Sequence, residues 1–536
     1  MENSNRRTFL QFLGKGIVGT VLVPTLITGC NTTENKTVQK IAKKLKALAP
    51  SSDDVLSLAD GFNFDILVKW GESISEKDTF GFNNDFTAFI PSSKNNSEEG
   101  ILWVNHEYIQ PLFVSGFTEG VKTKEQVEKE MYDVGGSLIK VKKDKDGKWN
   151  YVKNDPHNRR LNGFTKIPFN WPEKIAGADH AIGTLANCSG GVTPWGTILT
   201  CEENYDMFYC ERNYEDQSLI PSSYDVEWYK HYPYPPEHYG WVVEVDPKTG
   251  AAQKHIALGR CAHECATMKE LEDGRLIVYT GDDANDECFY KFIGSKKGSL
   301  SEGTLYVANT EKGEWVSLKY EDQKVLQENF KNQTEVLIRL REASKLVGGT
   351  PLDRPEDIEI DPITGNVLVS LTNNVPKENY FGAIMKLEET DGKFDSLTFK
   401  ADTYLAGGAE TGFACPDNMA FDTIGNLWFT SDISGSKMNK PPYEAFKNNG
   451  LFVVPRNGDQ AGKVIQIASA PTDAELTGPF FSPDGKTLFL SVQHPGERST
   501  SLAELTSHWP EGGTSIPKPT VVAISGEGLN GIQGIV

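Results

Sequence analysis

Six times along this chain a turn containing a Gly leads into a short apolar strand that ends in acid, amide or imidazole groups. The strands are 101–104 before Asn105-His106-Glu107, 197–200 before Glu202-Glu203, 275–280 before Asp282-Asp283, 366–371 before Thr372-Asn373-Asn374, 426–430 before Asp432, and 487–492 before Gln493-His494. In five of the units a second polar residue stands eight to ten positions before the turn Gly: Cys188, Glu264, Glu356, Asp417 or Glu475. In an antiparallel hairpin, residues equally far before and after the turn sit side by side at the end opposite it. Both series therefore reach one rim of the sheet.

The turn glycines, Gly100, Gly196, Gly274, Gly365, Gly425 and Gly485, are irregularly spaced, which fits one supersecondary unit per repeat with variable outer loops. The predicted class is all-β: a six-bladed β-propeller with long inter-strand insertions, its termini closing one blade between them. Propellers remain one domain at unusual length, and no linker interrupts residues 61–536 of this 536-residue chain. Residues 204–239, rich in Tyr, Pro and Asp, and 295–349, with a hairpin and a charged helical run near 325–346, are the long insertions. Loops of this length cover a site or carry function, or else decorate the fold.

Residues 1–30 read as an address. Asn5-Arg6-Arg7-Thr8-Phe9-Leu10 carries paired arginines, and a Gly-containing apolar run ends at Leu26-Ile27-Thr28-Gly29-Cys30. That is a twin-arginine export signal joined to a lipoprotein cleavage box, in which Cys30 becomes the lipidated first residue. Lys15, Gly14 and Gly19 break the run below what a spanning helix needs. The expectation is a protein exported folded and lipid-anchored to a membrane facing the periplasm or cell surface, with residues 31–60 as a polar tether. A formal charge of -20 excludes nucleic acid as a partner, since phosphate backbones need basic stripes. Seven cysteines remain after Cys30, an odd number. Cys261 and Cys265 have no matching second pair, so buried thiols are expected there rather than structural zinc.

On a six-fold ring, Glu107, Glu203, Glu264, Asp283, Glu356 and Glu475 bring six carboxylates around one axis. Two charges about 4 Å apart repel by about 4 kcal/mol at an effective dielectric of 20, so such a cluster must hold cations or extra protons. Oxygen donors favour hard ions such as calcium, magnesium or ferric iron, and a Cys188 thiolate favours a transition metal. Taken alone, Cys188 is equally an ordinary core thiol. Arg354 suits a phosphate oxyanion gripped by two parallel hydrogen bonds, and pairing with Asp353 or Asp357 is its other reading. His106, His263 and His494 stand at ligand ends, where each is expected to orient a carboxylate. None has a partner in a nucleophile motif, which argues against serine-hydrolase chemistry.

At these residues the sequence resembles the PhoX-type alkaline phosphatase family. The resembling stretches are Asn187-Cys188-Ser189-Gly190-Gly191-Val192-Thr193-Pro194-Trp195-Gly196 with Thr200-Cys201-Glu202-Glu203-Asn204, Ala262-His263-Glu264 with Gly281-Asp282-Asp283, and Arg354-Pro355-Glu356-Asp357. Pro416-Asp417-Asn418, Glu475-Leu476-Thr477-Gly478-Pro479 and Gln493-His494-Pro495-Gly496-Glu497 complete the set, in the family's order. The resemblance implies a propeller holding Fe3+ and Ca2+ that hydrolyses phosphate monoesters with a metal-activated oxygen nucleophile. Cys188 and Glu203 would bind iron, Glu264, Asp283, Glu356 and Glu475 other metals of the cluster together with Glu107, and Arg354 would clamp the phosphate beside Glu356. Glu203 is preferred to Glu202 because Glu107, Glu203 and Asp432 each lie seven residues after their turn Gly. A closed ring needs no partner, so a monomer is expected.

Two other readings use the same propeller. One is a noncatalytic calcium-binding surface lipoprotein for sugar or protein, since fold alone does not assign function. The other is a calcium-dependent lactonase, against which Cys188 and Arg354 argue.

Overall fold

The structure is a computed structural model that describes residues 44–224 and 226–535. The export signal, Cys30 and the start of the tether lie outside the described residues. Six sheets of four or five strands form the predicted propeller blades. Their axial hairpins start with Asn84–Pro91, Asn187–Val192, Thr267–Glu270, Pro355–Ile360, Pro416–Phe421 and Glu475–Phe481, and neighbouring axial strands touch in ring order. The sixth blade takes its outermost strand, Asn63–Lys69, from the N-terminal side, paired with Thr520–Ser525. Both ends of the chain thus close the ring, which removes the exposed edges an open sheet would leave.

Second strands such as Glu99–His106, Leu427–Ser431 and Leu488–Gln493 are buried almost throughout. They read as continuous apolar runs because neighbouring blades cover both faces. The core is accordingly six wedges between blades. Phe89 of the first blade stacks on Phe489 of the sixth at 5.5 Å, and Met419, Phe429 and Phe452 of the fifth pack on Leu368 and Ile384 of the fourth.

Two boundaries differ from the sequence reading. Part of the stretch read as tether packs on the fifth blade: Leu45 and Leu48 lie against its core, and Ser57–Leu58 pairs with Ile465–Ser469 as a fifth strand. Apolar side chains in an otherwise polar segment drive that docking. Within residues 295–349, the hairpin Gly303–Asn309 and Glu314–Ser317 is the outer half of the third blade, so only the helices Lys324–Asn329, Gln333–Ile338 and Leu340–Val347 are inserted. Among the described residues no helix is long and apolar enough to cross a membrane.

One irregularity repeats in every blade. Between the pairs Asn84↔His106 and Thr87↔Val104 the axial strand holds one residue more than its partner, and the same bulge recurs after Asn187, Pro355 and Pro416. In the third blade His263↔Asp282 and Thr267↔Tyr279 leave four steps facing three. In the sixth the bulge lies further along, at Gly478-Pro479. A bulge re-aims side chains, and here it sets the residues that face the axis.

Candidate metal and phosphate site

The residue after the first pair of each bulge is Asp85, Cys188, Glu264, Glu356 or Asp417 in blades one to five. A second tier comes from the residue after the same pair on the neighbouring strand, Glu107, Glu203, Asp283, Thr372 and Asp432, and in the sixth blade from His494, after the pair Glu475↔Gln493. In four blades the axial strand is entered through a left-handed residue, Asn83 (φ 46°), Ala186 (55°), Arg354 (55°) and Cys415 (52°). Their carbonyls accept the N–H groups of Glu107, Glu203, Thr372 and Asp432 at 3.1, 2.8, 3.2 and 2.8 Å. Such conformations cost about 1–3 kcal/mol each and persist only where the surroundings enforce them. They hold the second tier against the first.

The two tiers meet in three overlapping donor groups: Asp85, Glu107 and Cys188; Cys188, Glu203 and Glu264; Glu264, Glu356 and Asp417. Within each group the donor atoms lie within 4.8 Å of one another, and Cys188 and Glu264 are shared. The Cys188 thiol donates to Asp85 at 3.2 Å and Glu264 at 3.4 Å. Asp85 Oδ1 is buried with no hydrogen-bond partner, and Glu356 Oε1 has no aligned donor although Arg354 Nη2 stands 2.5 Å away. Bare buried oxygens beside a soft sulfur fit a mixed set of cations.

Amide side chains lock these acids from behind. Gln493 Nε2 donates to Glu107 at 2.6 Å and to Asp85 at 3.1 Å, joining the sixth blade to the first. Asn418 Nδ2 donates to Asp417 at 2.8 Å and Glu264 at 3.2 Å, while its Oδ1 accepts the Gly478 N–H at 2.7 Å. Burial first, then repulsion from Glu107, pushes the Asp85 carboxyl well up. Burial followed by neighbouring acids does the same to Glu203, Glu264 and Asp417. Glu107 is pushed up to about 7, chiefly by burial. The Cys188 thiol is likewise pushed well up by burial and then by Asp85 and Glu264. Each of these shifts favours the protonated form, so the cluster calls for cations or protons to offset its charge.

The remaining predicted residues occupy the rim. Asp283 takes two parallel hydrogen bonds of 2.9 Å from Arg354, which also faces Asp432 at 3.3 Å. The ion-pair partners of Arg354 are thus Glu356 of its own blade with Asp283 and Asp432 of the third and fifth, rather than Asp353 or Asp357. Asp353 accepts from Asn374 and Asn379, and Asp357 from the Met419 N–H. Glu475 lies 3.1 Å from His494 Nε2. His494 alone among the three histidines meets a carboxylate. His106 bonds Phe82 O and Ser137, and His263 bonds Gly259 O and Thr280; burial lowers His263 to about 4, so both are neutral core groups.

Glu202 points away from the axis, where Lys254 Nζ meets it at 2.6 Å and the Gly240 and Trp241 N–H groups donate to it. Asp282 is held likewise by Arg341, which also reaches Asp206 at 3.3 Å. Arg341 so ties both insertions to the ligand rim of the third blade. All seven described cysteines are buried free thiols. Asp85 lay outside the predicted set because the longer first hairpin puts it fifteen residues before Gly100.

The family model described as Alkaline phosphatase PhoX matches residues 43–496. Among solved structures, Pseudomonas fluorescens PhoX in complex with vanadate, a transition state analogue, superposes with a TM-score of 0.80 at 28% identity, covering 92% of this chain and 99% of that one. A Dyadobacter fermentans protein of unknown function covers 87% of this chain and 100% of its own at 11% identity, with a TM-score of 0.42. No curated protein matches.

Proposed function

Since this chain belongs to the PhoX alkaline phosphatase family and is a phosphoric monoester hydrolase, we propose that the reaction takes place over Cys188 at the acid-lined channel mouth, with Arg354 holding the phosphate. The observation that carries this is the interlocking of three donor groups through Cys188 and Glu264. Cys188 with Glu203, Asp85 and Glu107 suits a transition metal such as Fe3+, and the all-oxygen group Glu264, Glu356 and Asp417 suits Ca2+. Asp283 and Glu475 stand beside these groups to complete the coordination. When bound, the ions supply positive charge to the phosphate oxygens and lower the pKa of a water molecule.

The chain's own residues prepare the rest. Asp283 and Asp432 fix the Arg354 guanidinium from two sides, so it is aimed before substrate arrives and loses little freedom on gripping a phosphate oxygen. Burial works against the charge of Arg354, but the facing Asp283, Glu356 and Asp432 carboxylates outweigh it and hold the guanidinium well above its ordinary range. A relative in the same family, solved in complex with vanadate, a transition state analogue, supports a phosphoryl-transfer role for this chain.

The exported, lipid-anchored location is part of the same proposal and rests on Arg6-Arg7 and the Leu26-to-Cys30 box. A monomer is proposed because the ring closes on itself. The test is release of phosphate from 4-nitrophenyl phosphate at alkaline pH by protein exported through its own signal. Activity lost on calcium chelation and regained on calcium addition is expected. Metal-replete protein inactive on every monoester overturns the reading.

A further inference from the structure

A column of rings leads from the phosphate site to solvent. His494, in contact with Glu475, lies under Tyr108 with ring centroids 5.9 Å apart. Tyr108 follows Glu107 directly and stacks on Phe208 at 5.4 Å with planes 12° apart. Phe208 stacks in turn on Tyr224 at 4.6 Å and 11°. Phe208 ends the short helix Tyr205–Phe208 that follows Glu203 after one residue, so the column rises between two of the acids. Phe208 is 3% exposed and Tyr224, the last ring, is 54% exposed.

An exposed ring supported from behind by two parallel rings is preorganised to stack a further planar group. The phenol of Tyr224 is pushed up to about 12 by partial burial and then by Glu107, Glu203, Glu497 and Asp432. The stack through Phe208 and Tyr108 to His494 ties the ring to the acid-lined mouth. The Tyr224 backbone N–H bonds Met207 O at 3.3 Å, and one face of its ring stacks on Phe208 while more than half of the residue is open to solvent.

The geometry points to Tyr224 as the leaving-group subsite of this enzyme, stacking the ring of aryl or nucleoside phosphate monoesters while the phosphate lies over Cys188 and beside Arg354. This rests on the phosphatase reading. Stacking on an aromatic platform is tolerant of ring identity, because every such ring offers a π-face. The subsite therefore selects for an aromatic leaving group, not for one base.

The test compares kcat and KM for a nucleoside 5′-monophosphate, 4-nitrophenyl phosphate and glycerol phosphate in the wild type, Tyr224→Ala and Tyr224→Phe, all metal-replete. Tyr224→Ala is expected to raise KM for the two aromatic esters about 10-fold and to leave glycerol phosphate within about 2-fold. Tyr224→Phe, which keeps the ring, should behave as the wild type. Equal losses on all three esters, or no loss on any, overturn the subsite while leaving the phosphatase reading intact. A wild type inactive on all three overturns the phosphatase reading itself.

Discussion

Arg354 of the fourth blade grips Asp283 of the third through two parallel hydrogen bonds of 2.9 Å each. A bidentate pair fixes the guanidinium plane as well as its charge, and the left-handed backbone at Arg354 (φ 55°) directs it there. Arg354→Lys keeps a cation and loses the fork, so kcat/KM should fall about 100-fold with metal content unchanged. Asp283→Asn should lower it by a similar factor. Kinetics on 4-nitrophenyl phosphate, with metal analysis of the same samples, check both, and full activity in either variant contradicts the assigned role.

Gln493 tests how the metal cluster is held. Its single amide group bridges Glu107 and Asp85, two acids that would otherwise turn apart under their own repulsion. Gln493→Leu, of similar volume, should weaken binding of the ion nearest Cys188 by about 10–100-fold. Cys188→Ala should abolish that ion's binding and leave the calcium positions filled. Mass-spectrometric metal content after dialysis against graded chelator reads both outcomes, and unchanged iron in Cys188→Ala contradicts the placement.

Stability of the metal-free protein should depend on pH in a stated direction. Burial raises the Glu107 carboxyl from 4.5 to about 7. A carboxyl raised in the folded state adds stability below 4.5, and that stability is lost as pH rises through about 7. His263, lowered from 6.5 to about 4, acts oppositely: its contribution is present above 6.5 and is lost as pH falls through 4. Six raised acids outnumber it: Asp85, Glu107, Glu203, Glu264, Glu356 and Asp417. Tm of chelated protein should therefore fall from pH 5 to pH 8, and Glu107→Gln should flatten the fall by up to roughly 3 kcal/mol. Added metal should remove most of it. Parallel curves for the wild type and the variant would contradict this account.

Gly478 occupies the bulge that the other blades fill with a ligand. At φ 57°, a Cβ there would stand 2.6 Å from Phe86 Cα and 2.7 Å from Asp85 O. All the nearest atoms are backbone of the first blade, so nothing flexible can yield. Gly478→Ala should destabilise the protein by about 3 kcal/mol or more and displace Asp85. Thermal unfolding and metal content should drop together, and a variant of wild-type stability would refute the close approach.

The ring and its hairpins were legible because strand, turn and acid recur with a fixed local spacing, and spacing survives in sequence. The same spacing from the turn Gly separates Glu203, which stands among the axial donors, from Glu202, which pairs with Lys254. Asp85 was hidden by loop length: pairing counted from the turn fails when the first hairpin's loop is longer than the others. The bulges were hidden more deeply, because one unpaired residue leaves no mark of composition. His106 and His263 misled because a histidine at a strand end looks alike whether it faces the axis or the wedge between blades. The Asp283 and Asp432 partners of Arg354 come from strands that only the closed ring brings near.

The sixth blade, built from both ends of the chain, has a consequence for the order of events during synthesis. A nascent chain lacking Thr520–Ser525 cannot pair Asn63–Lys69, and Glu107 cannot meet Gln493 until the last hairpin is made. A product truncated before the last hairpin therefore leaves the ring open, with unpaired strand edges, and cannot assemble the complete cation site.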